Sequence, residues 1–177
     1  MAQPGDRPVR PVVFDEATIA GRVHALGREI TAAFPDGDLL ALGLLKGSFI
    51  FLSDLVRRIE RPLQVDFIVA ASYGAETESS GDVRLLYAPE MIMEGRHVLL
   101  VEDIIDSGHT VNRIVKMLRG RGMRSLSVCT LLHKHVATAL ELEPAFVGFD
   151  APATFLVGYG LDHAEDYRNL PYIASLT

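Results

Sequence analysis

The chain has 177 residues, of which 49% are apolar; that suits one domain with a sizeable core and excludes a disordered chain. Seventeen Lys and Arg against twenty-three Asp and Glu leave a net charge of −6, so there is no overall field to hold nucleic acid or an anionic membrane, and any phosphate must be bound locally. The single cysteine, Cys129, rules out an internal disulfide framework and a thiolate metal cluster, and favours a reducing, cytoplasmic setting.

Residues 1–10 contain Pro4 and Pro8 and no apolar stretch; they read as a loose arm, not a signal peptide. Between Asp15 and Phe34, Ile19, Val23, Leu26, Ile30 and Ala33 recur three or four apart, which predicts a helix stopped by Pro35-Asp-Gly-Asp38. Leu39 to Leu45 is a continuous apolar run between turn residues, the mark of a strand covered on both faces. After Lys46-Gly47, Ser48 can cap a helix carrying Phe51, Leu52, Leu55, Val56 and Ile59 and ending before Pro62. A second buried strand is predicted over Leu63 to Ala71.

The polar, glycine-punctuated stretch from Ser72 to Asp82 is long for a connection and has the character of a lid. Val83 to Tyr87 returns as a strand, and Val98 to Val101 is the third buried strand. A turn at Ser107-Gly108 then opens a helix through Leu118. Leu126 to Leu132 supplies a further strand, and Phe146 to Phe149 and Phe155 to Val157 supply two short ones. This order indicates an α/β domain with a largely parallel sheet, whose ligands bind beyond the carboxyl ends of the strands. The segments starting at Lys46, Ser72, Glu102 and Lys134 are therefore where chemistry belongs.

The most informative segment is Val98-Leu-Leu-Val-Glu-Asp-Ile-Ile-Asp-Ser-Gly-His-Thr-Val111. A buried strand delivers Glu102 and Asp103 to its end, Asp106 follows, and Ser107, Gly108, His109 and Thr110 make a tight loop opening a helix. Main-chain amides there can surround a phosphate, helped by the helix dipole and two hydroxyls. Adjacent carboxylates suit ribose hydroxyls or Mg²⁺, leaving Asp106 for proton transfer. A solvent-facing acidic turn is the plain alternative, and a receiver-like signalling domain a sharper one, but a receiver needs no phosphate-cradling loop directly after its acids. No Walker A pattern is present, and Gly158-Tyr-Gly160 lacks a third glycine.

This segment resembles the phosphoribosyl-pyrophosphate (PRPP) motif of type I phosphoribosyltransferases, in the form of the hypoxanthine-guanine branch. Leu45-Lys-Gly-Ser48 is similar to that family's pyrophosphate loop, Ala71-Ser-Tyr-Gly74 to its mobile catalytic loop, and Leu131-Leu-His-Lys134 to its purine-contacting segment. Phe155-Leu-Val-Gly-Tyr-Gly-Leu-Asp162 with Tyr167-Arg-Asn-Leu170 resembles its C-terminal hood. The resemblance implies the type I phosphoribosyltransferase fold: a mainly parallel sheet flanked by helices in a single domain over 1–177, with residues 150–177 contributing to a small hood and a mobile loop over 72–85.

It implies the following roles. Lys46, Gly47 and Arg168 hold pyrophosphate. Ser72 and Tyr73 begin a loop that closes over the reacting centre. Lys134 donates to a purine oxygen, Phe155 stacks on the base, Leu156 offers backbone groups to the base edge, and Asp162 holds a second Mg²⁺ beside the one at Glu102 and Asp103. The substrates implied are PRPP with hypoxanthine or guanine, in a homodimer or homotetramer without nucleic acid or membrane. A PRPP-sensing regulator would be expected to lose Lys46, Lys134 or the loop, and all are present; xanthine is an alternative base. His109 stands where family members commonly carry leucine or lysine, but its backbone can serve equally. His133 and His135, flanking Lys134, point only weakly to a metal, on the reasoning that adjacent strand positions face opposite ways.

Overall fold

The computed structural model describes residues 9–72, 83–87, 92–135 and 139–176. In chain order the elements are β1 (Val9–Phe14), α1 (Glu16–Ala33), β2 (Leu39–Leu45), α2 (Phe49–Val56), β3 (Leu63–Ser72), β4 (Val83–Tyr87), β5 (His97–Ile105), α3 (His109–Leu118), β6 (Ser125–His133), β7 (Phe146–Asp150), β8 (Phe155–Val157) and β9 (Ile173–Leu176). The main sheet has the order β4-β3-β2-β5-β6-β7. Its strands are parallel except for β4, which returns antiparallel along the edge of β3.

Residues along a strand alternate between the two sheet faces, and here both faces are covered. Leu39, Ala41, Leu99 and Val101 pack with Ile19, Leu26 and Ile30 of α1 and Phe51 and Leu55 of α2. Their neighbours Leu40, Leu42, Val98 and Leu100 face the other way, against Val111, Ile114, Val115 and Leu118 of α3. This two-sided burial is why β2 and β5 read as unbroken apolar runs. Cys129 lies in the first of these layers, where burial pushes its thiol far above the ordinary range. Asp15 caps α1 by accepting from the Thr18 amide at 2.7 Å.

Several boundaries differ from the sequence expectation. Val9 and Arg10 belong to β1, not to a loose arm, because β1 pairs antiparallel with β9; residues 1–8 lie outside the described part. Ser48 does not cap α2. Its backbone is already helical, and its buried hydroxyl donates to the Leu44 carbonyl at 2.7 Å. α2 stops at Val56, with Ile59 beyond the turn at Arg57 and Arg58 that follows. β5 runs on to Ile105, so Glu102 and Asp103 sit inside a strand, paired across to β6, not beyond its end. Of the expected loop over 72–85, Ser72 closes β3 and Val83 to Leu85 begin β4, while Tyr73 and the rest through Asp82 are outside the described residues. Asp150 ends β7 of the main sheet; the hood strands are β8 and β9, joined by β1 in the order β1-β9-β8. No helix among the described residues is long and apolar enough to cross a membrane.

Candidate active site

β2, β3 and β5 start in register, with Leu39 opposite both Leu63 and His97, and this brings the end of β2 beside Val69 and Ala70 of β3 and Asp103 of β5 at one place. The segment from β8 to Arg168 lines the same place. The resulting cleft, about 450 Å³, is lined from five separate segments: Lys46 and Gly47, Val69 and Ala70, Asp103 to Asp106, Lys134, and Phe155 to Arg168.

Beyond β5 the chain turns through Asp106, Ser107 and Gly108 into α3. Gly108 is at φ +78°, a conformation that favours glycine, and a side chain there would also have to push aside the tip of Leu140. The first amides of α3 have no acceptor within the helix, which leaves donors and the positive end of a helix dipole at the turn. Behind it, Asn112 donates from Nδ2 to the Ala139 carbonyl at 3.0 Å, and its Oδ1 accepts from the Glu141 amide at 2.7 Å. The Glu141 carboxylate pairs with Lys116 at 3.1 Å and Arg119 at 2.7 Å, and these cations hold its carboxyl below the usual range.

Glu102 and Asp103 are both buried in β5. Burial, reinforced by the adjoining Asp103, raises the Glu102 carboxyl well above the ordinary range. Glu102 Oε2 is buried without a hydrogen-bond partner among the described residues. Asp103 lies against Gly47: a Cβ on Gly47 would overlap the Asp103 carboxylate. The Leu45-Lys46 peptide is cis.

Lys46 Nζ lies 3.0 Å from Glu165 Oε1. Arg168 Nη2 lies 2.8 Å from Asp162 Oδ1 and 3.3 Å from Glu165 Oε2, and Arg168 Nη1 donates to the Gly160 carbonyl at 2.8 Å. Asp162 Oδ2 accepts the Glu165 amide at 2.9 Å, so both Asp162 oxygens are engaged within the hood. Tyr159 anchors this segment to α2, its phenol donating to Asp54 at 2.6 Å. On the opposite wall the nearly buried Lys134 ammonium is 3.2 Å from Asp106 Oδ2. Phe155 is 53% exposed, with His163 edge-on to its ring at 5.4 Å.

A family model for the phosphoribosyl transferase domain matches residues 16–164. The chain belongs to the phosphoribosyltransferase family. It is 44% identical over 171 residues to the hypoxanthine-guanine phosphoribosyltransferase of Dictyostelium discoideum, spanning 94% of this chain and 95% of that protein. It is 43% identical over 168 residues to the Bacillus subtilis enzyme of the same name, spanning 95% and 93%. Among solved structures, it is similar to a hypoxanthine phosphoribosyltransferase from Staphylococcus aureus, with a TM-score of 0.90 at 38% identity over 96% of this chain and 92% of that one.

Of the residues singled out in the sequence, this phosphoribosyltransferase cleft gathers Lys46, Gly47, Asp103, Asp106, Lys134, Phe155, Leu156, Asp162 and Arg168. Glu102 lies in β5 next to Asp103; Ser107 and Gly108 form the adjoining turn and His109 and Thr110 open α3, none of them lining the cleft. His133 and His135, two apart and so on one side, bring their rings to 4.6 Å, and His135 meets Asp150 at 2.7 Å; yet no group of three metal-ligating side chains occurs among the described residues. Sequence reasoning did not single out Glu165. An acid in a polar segment carries no signal of its own, and its partner Lys46 is 119 residues away.

Proposed function

We propose that the chain transfers the 5-phosphoribosyl group of PRPP to hypoxanthine or guanine, giving IMP or GMP and pyrophosphate, as a cytoplasmic purine-salvage enzyme acting as a homodimer or homotetramer. The observation that carries this reading is the Lys134 and Asp106 pair, a donor and an acceptor 3.2 Å apart beside the exposed Phe155 ring. A 6-oxopurine presents an O6 acceptor and an N7 proton side by side on one edge, which complements that pair while its face stacks on Phe155. Leu156 supplies backbone groups to the base.

Main-chain amides of Gly108 and His109, with the Ser107 and Thr110 hydroxyls, hold the 5′-phosphate. Lys46, the Gly47 amide and Arg168 hold the diphosphate. Glu102 and Asp103 face the ribose hydroxyls, and the orphaned buried Glu102 oxygen, in a carboxylate pair short of a third protein ligand, fits a Mg²⁺ that draws further oxygens from the substrate. Such an ion, held by Glu102 and Asp103, would neutralise diphosphate charge; Asp162 would join a second one on releasing Arg168. As the bond from ribose C1′ to pyrophosphate breaks, positive charge develops on the ribose, N9 of the purine bonds to C1′, and Asp106 accepts the proton from N7. Positioning and electrostatics provide most of the acceleration.

The test is product analysis with Mg²⁺, PRPP and each purine in turn. Hypoxanthine and guanine yield IMP and GMP. Adenine, whose amino group would face the Lys134 donor, is poorer by about 10⁴–10⁵-fold in kcat/KM. Comparable use of adenine overturns the assignment of Lys134, and no nucleotide from any purine overturns the function.

A further inference from the structure

The two cations assigned to pyrophosphate are bridged by one carboxylate. Glu165 Oε1 meets Lys46 Nζ at 3.0 Å, while Oε2 meets Arg168 Nη2 at 3.3 Å. Lys46 comes from the turn after β2 and Arg168 from the hood, so the bridge spans the mouth of the cleft that all three residues line. The Glu165 backbone is fixed independently: its amide donates to Asp162, and its φ of +69° is rare for a side-chain-bearing residue.

We propose that Glu165 is the built-in counter-ion of the pyrophosphate end, a role that rests on assigning Lys46 and Arg168 to pyrophosphate. Its two oxygens engage the donors that two phosphate oxygens would take. Glu165 leaves when pyrophosphate or PRPP binds and returns as pyrophosphate departs, so it weakens binding of both and hastens release of the product.

Three features suit displacement over permanent bracing. The Lys46 and Glu165 side chains are 64% and 66% exposed, and an ion pair so open to water separates readily. Arg168 Nη1 keeps the Gly160 carbonyl at 2.8 Å when Glu165 swings away, so its guanidinium stays tethered to the hood. Pyrophosphate carries more negative charge than one carboxylate and outcompetes it on the same cations.

Calorimetric titration of Mg²⁺-pyrophosphate, and separately of IMP, into wild type, Glu165→Gln and Glu165→Ala tests the proposal. Removing the charge tightens pyrophosphate binding by about 3–10-fold, the scale of two exposed ion pairs, and leaves IMP affinity within about twofold. The inhibition constant for pyrophosphate in the forward reaction falls in parallel. Unchanged or weaker pyrophosphate binding in both variants, with IMP binding intact, overturns the proposal. So does parallel weakening of pyrophosphate and IMP, which would make Glu165 a brace of the hood. A wild-type protein that neither binds pyrophosphate nor turns over PRPP would instead overturn the functional reading beneath it.

Discussion

Beside one end of the cleft, the turn from Asp106 to Gly108 and the start of α3 offer main-chain amides and a helix dipole, with ion pairs farther along between Glu141, Lys116 and Arg119. At the other end, Lys46 and Arg168 offer charged side chains that Glu165 and Asp162 already hold. Amides fixed by a helix terminus carry no full charge for a neighbouring acid to cancel, so that end is ready for phosphate at all times. A cation pair in a chain of net charge −6 draws acids to itself, so binding there is an exchange of one anion for another. The division matches the proposed chemistry: the 5′-phosphate stays bound from substrate to product, while pyrophosphate must leave in every turnover.

Asp106 stands between the two ends, and replacing it separates binding from reaction most sharply. Asp106→Asn keeps the shape of the side chain and loses the proton acceptor, so kcat falls by about 10²–10⁴-fold while calorimetric affinities for IMP and pyrophosphate stay near wild type. Near-normal turnover would remove Asp106 from the mechanism. Gly47→Ala acts chiefly on the ionic end. Its Cβ would overlap the Asp103 carboxylate, so the turn carrying Lys46 or the acid must shift, and a displacement near 1 Å costs on the order of 10²-fold in kcat/KM for PRPP. IMP, which on the proposed reading meets this region only through its ribose at Asp103, should lose clearly less affinity than PRPP. If IMP binding fell as far, the two ends would not be independent.

The main sheet was legible because two-sided burial writes itself into local sequence: the run Leu39 to Leu45 is β2 residue for residue. The small sheet was not, because β1 and β9 come from opposite ends of the chain, with Val9 opposite Leu176 and Phe14 opposite Ile173. Neither has the length or alternation to declare a strand alone, and their pairing is a long-range fact. Glu102 and Asp103 misled in an informative way. Charge reads locally as the end of a strand, yet the ladder with β6 continues through Ile105, with this pair of acids buried inside it. Most of the cleft-lining residues could be named through the family resemblance, but their pairing could not. That Lys134 faces Asp106, or that Glu165 bridges Lys46 and Arg168, depends on turns brought together by the register of separate strands.

The smallest expected effect lies behind the amide end. Glu141 joins Lys116 and Arg119 on the outer side of α3, while its amide and the Ala139 carbonyl bracket Asn112. If this end of the cleft owes its readiness to main-chain geometry, removing the charge should loosen the brace slightly and leave the chemistry alone. Glu141→Gln keeps the amide contact to Asn112 and loses the ion pairs, which are open to water and therefore weak. The expected fall in Tm at pH 7 is about 1–3 °C, with kcat and the KM for PRPP unchanged. The sign of the pH dependence follows from the carboxyl being lowered in the folded chain: its contribution is present above the unfolded carboxylate pKa and is lost as pH falls through the lower folded value. The Tm gap between wild type and variant should therefore close in acid. A gap that persisted there would mean that the glutamate acts through shape or packing, and a raised KM for PRPP would mean that the ion pairs, and not the backbone, set the geometry of the turn.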